Sequence, residues 1–328
     1  MPVQRALTTL ALLSAAAVAL VGCSTSAAAP AETAAAPATI SVDDNHGTQT
    51  VPANPGSVVA LDNRTFETLS DWGVELAAAA VALMPDTIAY AQDDAIVDVG
   101  NHREPNLELI VAAAPDLVIS GQRFSDRDAE LAALVPEAAI LQLEPREGER
   151  LDEELRRQVT VLGEVFGKQA EAAQLVADFD AAIERAAGAY DAAETTMAVT
   201  TSGGEIGYLA PSVGRTLGPI FDLLELTPAL EVDGASDDHQ GDDISVEAIA
   251  DADPDWILVM DRDAAILADD PEFMPAADIL EHSEALAGVA AVQQGNLVYM
   301  PADTYTNESI QTYTEFLTAF ADALEAAN

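Results

Sequence analysis

Residues 149–190 read ERLDEELRRQVTVLGEVFGKQAEAAQLVADFDAAIERAAGAY. The stretch holds no proline, and apolar residues return at steps of three and four: Leu151, Leu155, Val159, Leu162 and Phe166, then Leu175, Phe179 and Ile183. That period belongs to a helix with one buried face. It predicts one long helix, bent or broken near Gly163 or Gly167, where the backbone is least committed to helical geometry. The chain on either side has a different grammar, so this helix divides it.

Upstream, 58–61 (VVAL) reads as a short apolar strand, with Asp62, Asn63 and Arg64 as its exit loop and a helix over 65–71 that ends before Gly73. Further strand signals lie at 117–120 (LVIS) and 138–143 (AAILQL), with a helical pattern at 106–113 between them. Downstream the same grammar resumes. Strands are predicted at 196–200 (TMAVT), 206–210, 256–260 (WILVM) and 297–300 (LVYM), and a helix over 308–327 closes the chain. The halves echo one another. LELIVAAAPDLVI at 107–119 and VEAIADADPDWIL at 246–258 each place a glutamate seven residues before a Pro-Asp pair and an isoleucine two after that glutamate. Each predicts a helix, a Pro-Asp turn and a buried strand. The α/β class follows: two α/β, Rossmann-like lobes joined by one long interlobe helix.

The amino-terminal region is of another kind. A basic start at Arg5, an alanine-rich apolar run over 6–21 and the junction Leu20-Val21-Gly22-Cys23 have the three-part form of a secretory signal. Cys23 is the only cysteine, so no intrachain disulfide exists and each core must stand unaided. Its placement resembles a bacterial lipobox, which implies cleavage before Cys23 and acylation of that residue. Residues 24–40 are small and proline-interrupted and read as a tether; 41–56 add polar and turn residues with a short Thr/Val strand. The expected boundaries are a signal at 1–22, the lipidated cysteine and tether at 23–47, lobes at 48–148 and 191–328, and the interlobe helix at 149–190.

Asp and Glu number 57 against 13 Lys and Arg, a formal net charge of −44, with Lys168 the sole lysine. Such a surface repels nucleic acid and anionic lipid headgroups. The acidic runs lack the spacing of a calcium loop. No GxSxG, P-loop, HExxH or dinucleotide fingerprint is present, which argues against an enzyme. Four scattered histidines make a poor zinc or manganese cluster. In so acidic a chain, an arginine in a cleft would be an island of positive potential.

The order of PNLELIVAAAPDLVIS, the linking helix, VEAIADADPDWILVMDR and GNLVYMPADTY resembles the helical-backbone (class III) substrate-binding proteins of ABC importers for iron-siderophores or vitamin B12. ISGQR at 119–123, YLAPSVGR at 208–215, DDHQGDDIS at 237–245 and VMDR at 259–262 are most similar to the catecholate-siderophore, petrobactin-type group. The resemblance implies no intrinsic cofactor and a ferric siderophore as transported ligand. It also implies a permease partner, a monomer, and a lipid anchor on the outer face of a Gram-positive cell membrane. A ferric catecholate is an anion with aromatic rings, which guanidinium groups both pair with and stack on. Arg123, Arg215 and Arg262 each lie after a predicted strand or in a loop, and the resemblance implies that they are the cradle. Two departures stand out: Gln122 intervenes before Arg123, and Thr216-Leu217 replace a single aromatic before Gly218. By composition His239 is a surface-loop histidine; by resemblance His239 and Tyr305 complete the coordination of Fe(III). His102, Arg103, Asn63 and Arg64 are candidates for the rim, whereas His46 and His282 look incidental. The resemblance also implies that Glu108 and Glu247, one per lobe, dock on permease arginines. The alternatives are a haem, cobalamin or other iron-complex receptor with the same fold, and an adhesion lipoprotein without an interlobe cleft.

Overall fold

The computed structural model describes residues 38–327. The expected signal, Cys23 and the tether up to residue 37 lie outside the described residues. The tether does not reach residue 47. Thr39–Asp44 (β1) pairs antiparallel with Gly47–Pro52 (β2). TISVDD turns Val42 and Asp44 inward, and this period of two makes a hairpin strand out of what composition alone left as linker. The Asp44 carboxylate accepts the Gln142 N–H at 3.1 Å and pins the hairpin to the body of the molecule.

Five short parallel strands form the first sheet: Val58–Ala60 (β3), Ala78–Ala79 (β4), Val97–Asp98 (β5), Leu117–Ser120 (β6) and Ala139–Gln142 (β7). Their order is β5-β4-β3-β6-β7. Val58, Val59 and Ala60 are all buried, as are Leu117, Val118 and Ile119, which is why these strands read as unbroken apolar runs. Phe66–Asp71 (α1), Leu107–Ala112 (α2) and Asp128–Leu134 (α3) connect them.

The helix expected over 149–190, with its bend or break near Gly163 or Gly167, is two helices, Leu151–Phe166 (α4) and Gln169–Ala189 (α5), packed against each other. Gly167 stops α4 in the left-handed region at φ 66°, and the Lys168 N–H returns to the Gly163 carbonyl at 2.8 Å. Gly163 has a separate job. A Cβ there would lie 2.7 Å from the Ala172 Cβ, so its bareness lets α5 fold back onto α4.

The second sheet holds Thr195–Ser202 (β8), Glu205–Tyr208 (β9), Thr227–Pro228 (β10), Asp242–Asp243 (β11), Trp256–Asp261 (β12) and Leu297–Tyr299 (β13). The order is β11-β9-β8-β12-β13, with β10 also on β8. β9 and β11 are antiparallel to their neighbours and the rest are parallel. Gly218–Leu224 (α6), Val246–Ala252 (α7), Arg262–Ile266 (α8), Ala276–Glu281 (α9), Ala290–Gln294 (α10) and Ile310–Ala327 (α11) complete the chain. One apolar cluster runs from Val59 and Ile119 of the first sheet through Leu162 and Phe179 to Trp256, Phe316 and Phe320. A smaller one, with Met197, Ile249 and Val259, fills the other face of the second sheet.

The sequence echo is a structural one. Ile110 and Ile249 are fully buried, and the turn residues Ala114 and Asp253 take φ 44° and 45°. The aspartate after each proline ties down the adjacent strand: Asp116 accepts the Ser57 N–H at 3.0 Å, Asp255 the Thr195 N–H at 2.7 Å. Among the described residues, no helix is long and apolar enough to cross a membrane.

Candidate functional site

Tyr305 lies on a short 3-10 turn, Thr304–Thr306, after β13, and only 6% of it is exposed. Three guanidinium groups face its ring: Arg262 at 4.8 Å from the centroid, Arg215 at 5.0 Å and Arg123 at 5.5 Å. The His239 ring meets it edge-on at 6.3 Å. Arg123, Arg215 and His239 come from three loops, Tyr305 from the 3-10 turn and Arg262 from the start of the helix that follows β12. Their convergence on one aromatic ring concentrates positive charge where the rest of the molecule is acidic.

Each loop has a local reason for its path. Gln122, the extra residue before Arg123, takes φ 39°, and the turn it makes still brings Arg123 to Tyr305. Thr216 takes φ 65° and sends its hydroxyl to Glu308 Oε1 at 2.5 Å. Both departures from the family pattern are thus left-handed turn residues. The loop carrying His239 lies against β9: a Cβ on Gly207 would stand 1.8 Å from the Gln240 carbonyl oxygen, so only glycine allows the approach. Arg262 opens α8, where Asp261 caps the Ala264 N–H at 3.0 Å, and its Nη1 donates to Ser202 Oγ at 3.0 Å.

The electrostatics favour deprotonated ligand groups. Burial pushes the Tyr305 phenol up, but hydrogen bonding toward Arg262 and Arg123 and the charge of Arg123 and Arg215 outweigh it and hold its pKa below the usual value. Burial lowers the His239 pKa, and Arg215 and Arg123 lower it further. Arg215 Nη1 sits 2.7 Å from His239 Nδ1. Arginine only donates, so Nδ1 is the acceptor, and neutral His239 carries its proton on Nε2. Arg215 Nε and Arg262 Nε are buried and make no hydrogen bond among the described residues.

A cleft of about 300 Å³ opens beside the ring, lined by Asn63, Leu83, Met84 and Arg123 from the first lobe and Ile266 and Tyr305 from the second. A larger cavity of about 930 Å³ shares Met84 and Ile266 with it. That cavity carries Glu67, Asp86, Asp269, Asp270, Asp303 and Glu315 and none of the arginines, so an anion is repelled from it.

The rim candidates divide. Arg64 turns inward and pairs with Glu308 at 2.8 Å, while the buried Asn63 donates to the Thr306 carbonyl at 3.1 Å. The His102 pKa is lowered, first by burial and then by Arg123, whereas Arg103 is exposed. His46 pairs with Asp128 at 3.1 Å and His282 with Asp278 at 3.3 Å, both away from the cleft lining. Glu108 and Glu247 are exposed in the first turns of α2 and α7, beside the side-chain caps Asn106 and Ser245. The residue that the sequence did not single out is Glu308. It is 1% exposed and bonded to both Arg64 and Arg215. Nothing in its spacing separates it from the other acids of so acidic a chain.

The periplasmic binding protein family model matches residues 58–304. The chain belongs to that family. This binding protein is 25% identical over 289 residues to the petrobactin-binding protein YclQ of Bacillus subtilis, covering 86% of each chain. It is 28% identical over 270 residues to the ferric-anguibactin-binding protein FatB of Vibrio anguillarum, covering 81% of each. Among solved structures it superposes on a periplasmic binding protein of Xylanimonas cellulosilytica with a TM-score of 0.73 and 26% identity, over 89% of this chain and 99% of that one. The family is one of extracytoplasmic solute-binding proteins.

Proposed function

We propose that this chain is the substrate-binding component of an ABC importer and captures an anionic ferric siderophore of catecholate type in the interlobe cleft. The observation that carries this reading is the ring of Arg123, Arg215 and Arg262 around Tyr305, in a chain of net charge −44. The relatives named for petrobactin and ferric-anguibactin binding support it. Guanidinium forks pair with catecholate oxygens and stack on the rings. The cleft volume suits the iron-proximal part of such a complex, with its periphery outside. Where the siderophore leaves coordination positions open, Tyr305 as phenolate and His239 as imidazole complete them, and both pKa shifts favour those forms. Ligation through His239 Nδ1 displaces Arg215 from it, and ligation through Nε2 requires the tautomer protonated on Nδ1, which no longer accepts from Arg215. In this reading the protein is not an enzyme. It acts as a monomer, held at the outer face of the cell membrane by acyl chains on Cys23, and Glu108 and Glu247 present one acid per lobe to the permease.

Calorimetric titration with one tetradentate and one hexadentate ferric catecholate, and with haem, tests the reading. Truncating a buried charge-assisted partner costs about 2–5 kcal/mol, so Arg262→Ala should lose roughly thirtyfold to a few thousandfold in affinity for both catecholates. Tyr305→Phe and His239→Ala should weaken only the tetradentate complex and shift its charge-transfer band. Unchanged affinity in both Arg215→Ala and Arg262→Ala would remove the siderophore cradle. Tight haem binding that depends on Tyr305 would replace the ligand.

A further inference from the structure

Four arginines gather around Tyr305 and Glu308: Arg123, Arg215 and Arg262 face the ring, and Arg64 and Arg215 meet on the carboxylate. Among the described residues, the carboxylates ion-paired with them are Asp263, on Arg262 at 3.5 Å, and Glu308, on Arg64 at 2.8 Å and Arg215 at 3.1 Å. Glu308 therefore serves two cations at once, one from each lobe. Its Oε2 also faces Gln122 Nε2 at 3.4 Å, and its Oε1 accepts from Thr216 Oγ1 at 2.5 Å. The carboxyl is sealed at 1% exposure, just ahead of α11.

The consequence falls on Arg215. A guanidinium is planar, and fixing one fork nitrogen fixes the direction of the others. With Nη2 held by Glu308, Nη1 reaches His239 Nδ1 at 2.7 Å, and the Arg215 guanidinium lies 5.0 Å from the Tyr305 ring centroid. Without the carboxylate, Arg215 would keep only neutral partners while facing Arg64, Arg123 and Arg262, all cations. Like-charge repulsion in a half-buried cleft would turn it outward.

Resting on the siderophore reading above, we propose that Glu308 is a positioning residue of the ligand site: it touches no ligand itself, but holds Arg215 in the orientation that presents it beside Tyr305 and His239. Burial pushes the Glu308 carboxyl up, but the charges of Arg64 and Arg215 pull it down to about 2, so it stays ionised wherever the protein works.

The test uses the full chain and two variants. Glu308→Gln keeps the shape and removes the charge. Should its unpaired arginines unfold the protein, the double variant Glu308→Gln/Arg64→Gln restores the buried charge balance and still leaves Arg215 without its anchor. The probe is the tetradentate ferric catecholate. Affinity should fall about tenfold or more in each variant. Adding Arg215→Gln to either should cost little beyond the Arg215→Gln loss alone, since the two act as one unit. A second readout needs no ligand. The Arg215 guanidinium N–H resonances, assigned by their loss in Arg215→Lys, should show hindered rotation in the wild type and free rotation in both variants. A purely structural role for Glu308 would leave that rotation unchanged. Unchanged Arg215 resonances, or full additivity with Arg215→Gln, would overturn the positioning role while leaving the siderophore reading intact. A wild type that binds neither catecholate would sink the siderophore reading, and the guanidinium resonances would still decide what Glu308 does.

Discussion

Asp62 and Glu308 are both buried acids on either side of Arg64, and they titrate in opposite directions. Glu308 bonds two arginines and is held down to about 2, whereas Asp62 is raised to about 6, because burial, helped by the charges of Glu144 and Glu308, outweighs the pull of Arg64 and its backbone N–H. Among the described residues, Asp62 Oδ2 has no hydrogen-bond partner, and it lies where a Cβ on Gly121 would come within 2.5 Å. A folded pKa above the unfolded 3.8 means that the contribution of Asp62 to stability is fully present below 3.8 and is lost as pH rises through about 6. Asp62→Asn removes that dependence. Lowering the pH from 8 to 5 should return about 1–1.5 kcal/mol to the wild type that the variant does not receive. Denaturant unfolding of both proteins at the two pH values measures it, and a difference that stays constant with pH would place the shifted proton elsewhere. The same residue scale explains why Tyr305 alone was an incomplete clue. A tyrosine after a strand is common, and it becomes a site only where three arginines meet its ring.

At the scale of elements, the linking segment shows how two glycines with one composition do different work. Gly167 ends α4 because it accepts a positive φ; Gly163 admits α5 because it has no Cβ. The amphipathic period alone does not distinguish a continuous helix from two that fold back, since both bury the same apolar stripe. Gly167→Ala is forced into the left-handed region and should lose about 1–2 kcal/mol of stability. Its site lies outside the cleft lining, so affinity for the ferric catecholate should be unchanged. Chemical denaturation and calorimetry on the same preparation separate the two effects. An equal or greater stability in the alanine variant would mean that the chain turn does not depend on the glycine.

At the scale of the molecule, one apolar cluster joins the first sheet, α4, α5, α11 and the second sheet, so the lobes share a core and do not hang from a flexible strand pair. Large closure would have to tear that core, and shared packing resists this. Glu108 and Glu247 then stand at a fixed separation, each exposed at an equivalent capped helix start. Charge reversal at both, Glu108→Arg with Glu247→Arg, should leave ferric catecholate affinity intact and reduce cellular uptake of labelled iron. Normal uptake by the double variant would exclude docking through these acids. The acidic surface also predicts the direction of partial effects. Neighbouring carboxylates compensate a single reversal better than a paired one, because long-range repulsion is screened within about 8 Å at physiological salt.

The sequence by itself determined the α/β class, the strands around 58–60, 117–120, 195–202 and 256–261, the closing helix and the paired helix–Pro-Asp–strand units. These rest on local periodicity and turn chemistry, which each segment carries alone. It also brought forward Arg123, Arg215 and Arg262, because basic residues after strands are conspicuous among 57 acids, whereas His239 and Tyr305 came forward only through the family resemblance. Tertiary structure decided the rest. The two-residue strands β4, β5, β10 and β11 exist only because a neighbour supplies their hydrogen bonds. The 39–44 strand needed its hairpin partner, and the folding back of α5 onto α4 after Gly167 needed a surface to pack on. Glu308 had no local signature at all. Its importance comes from Arg64, 244 residues away, and Arg215, 93 residues away, meeting on one buried carboxylate, and a meeting between residues so far apart is a property of the folded chain alone.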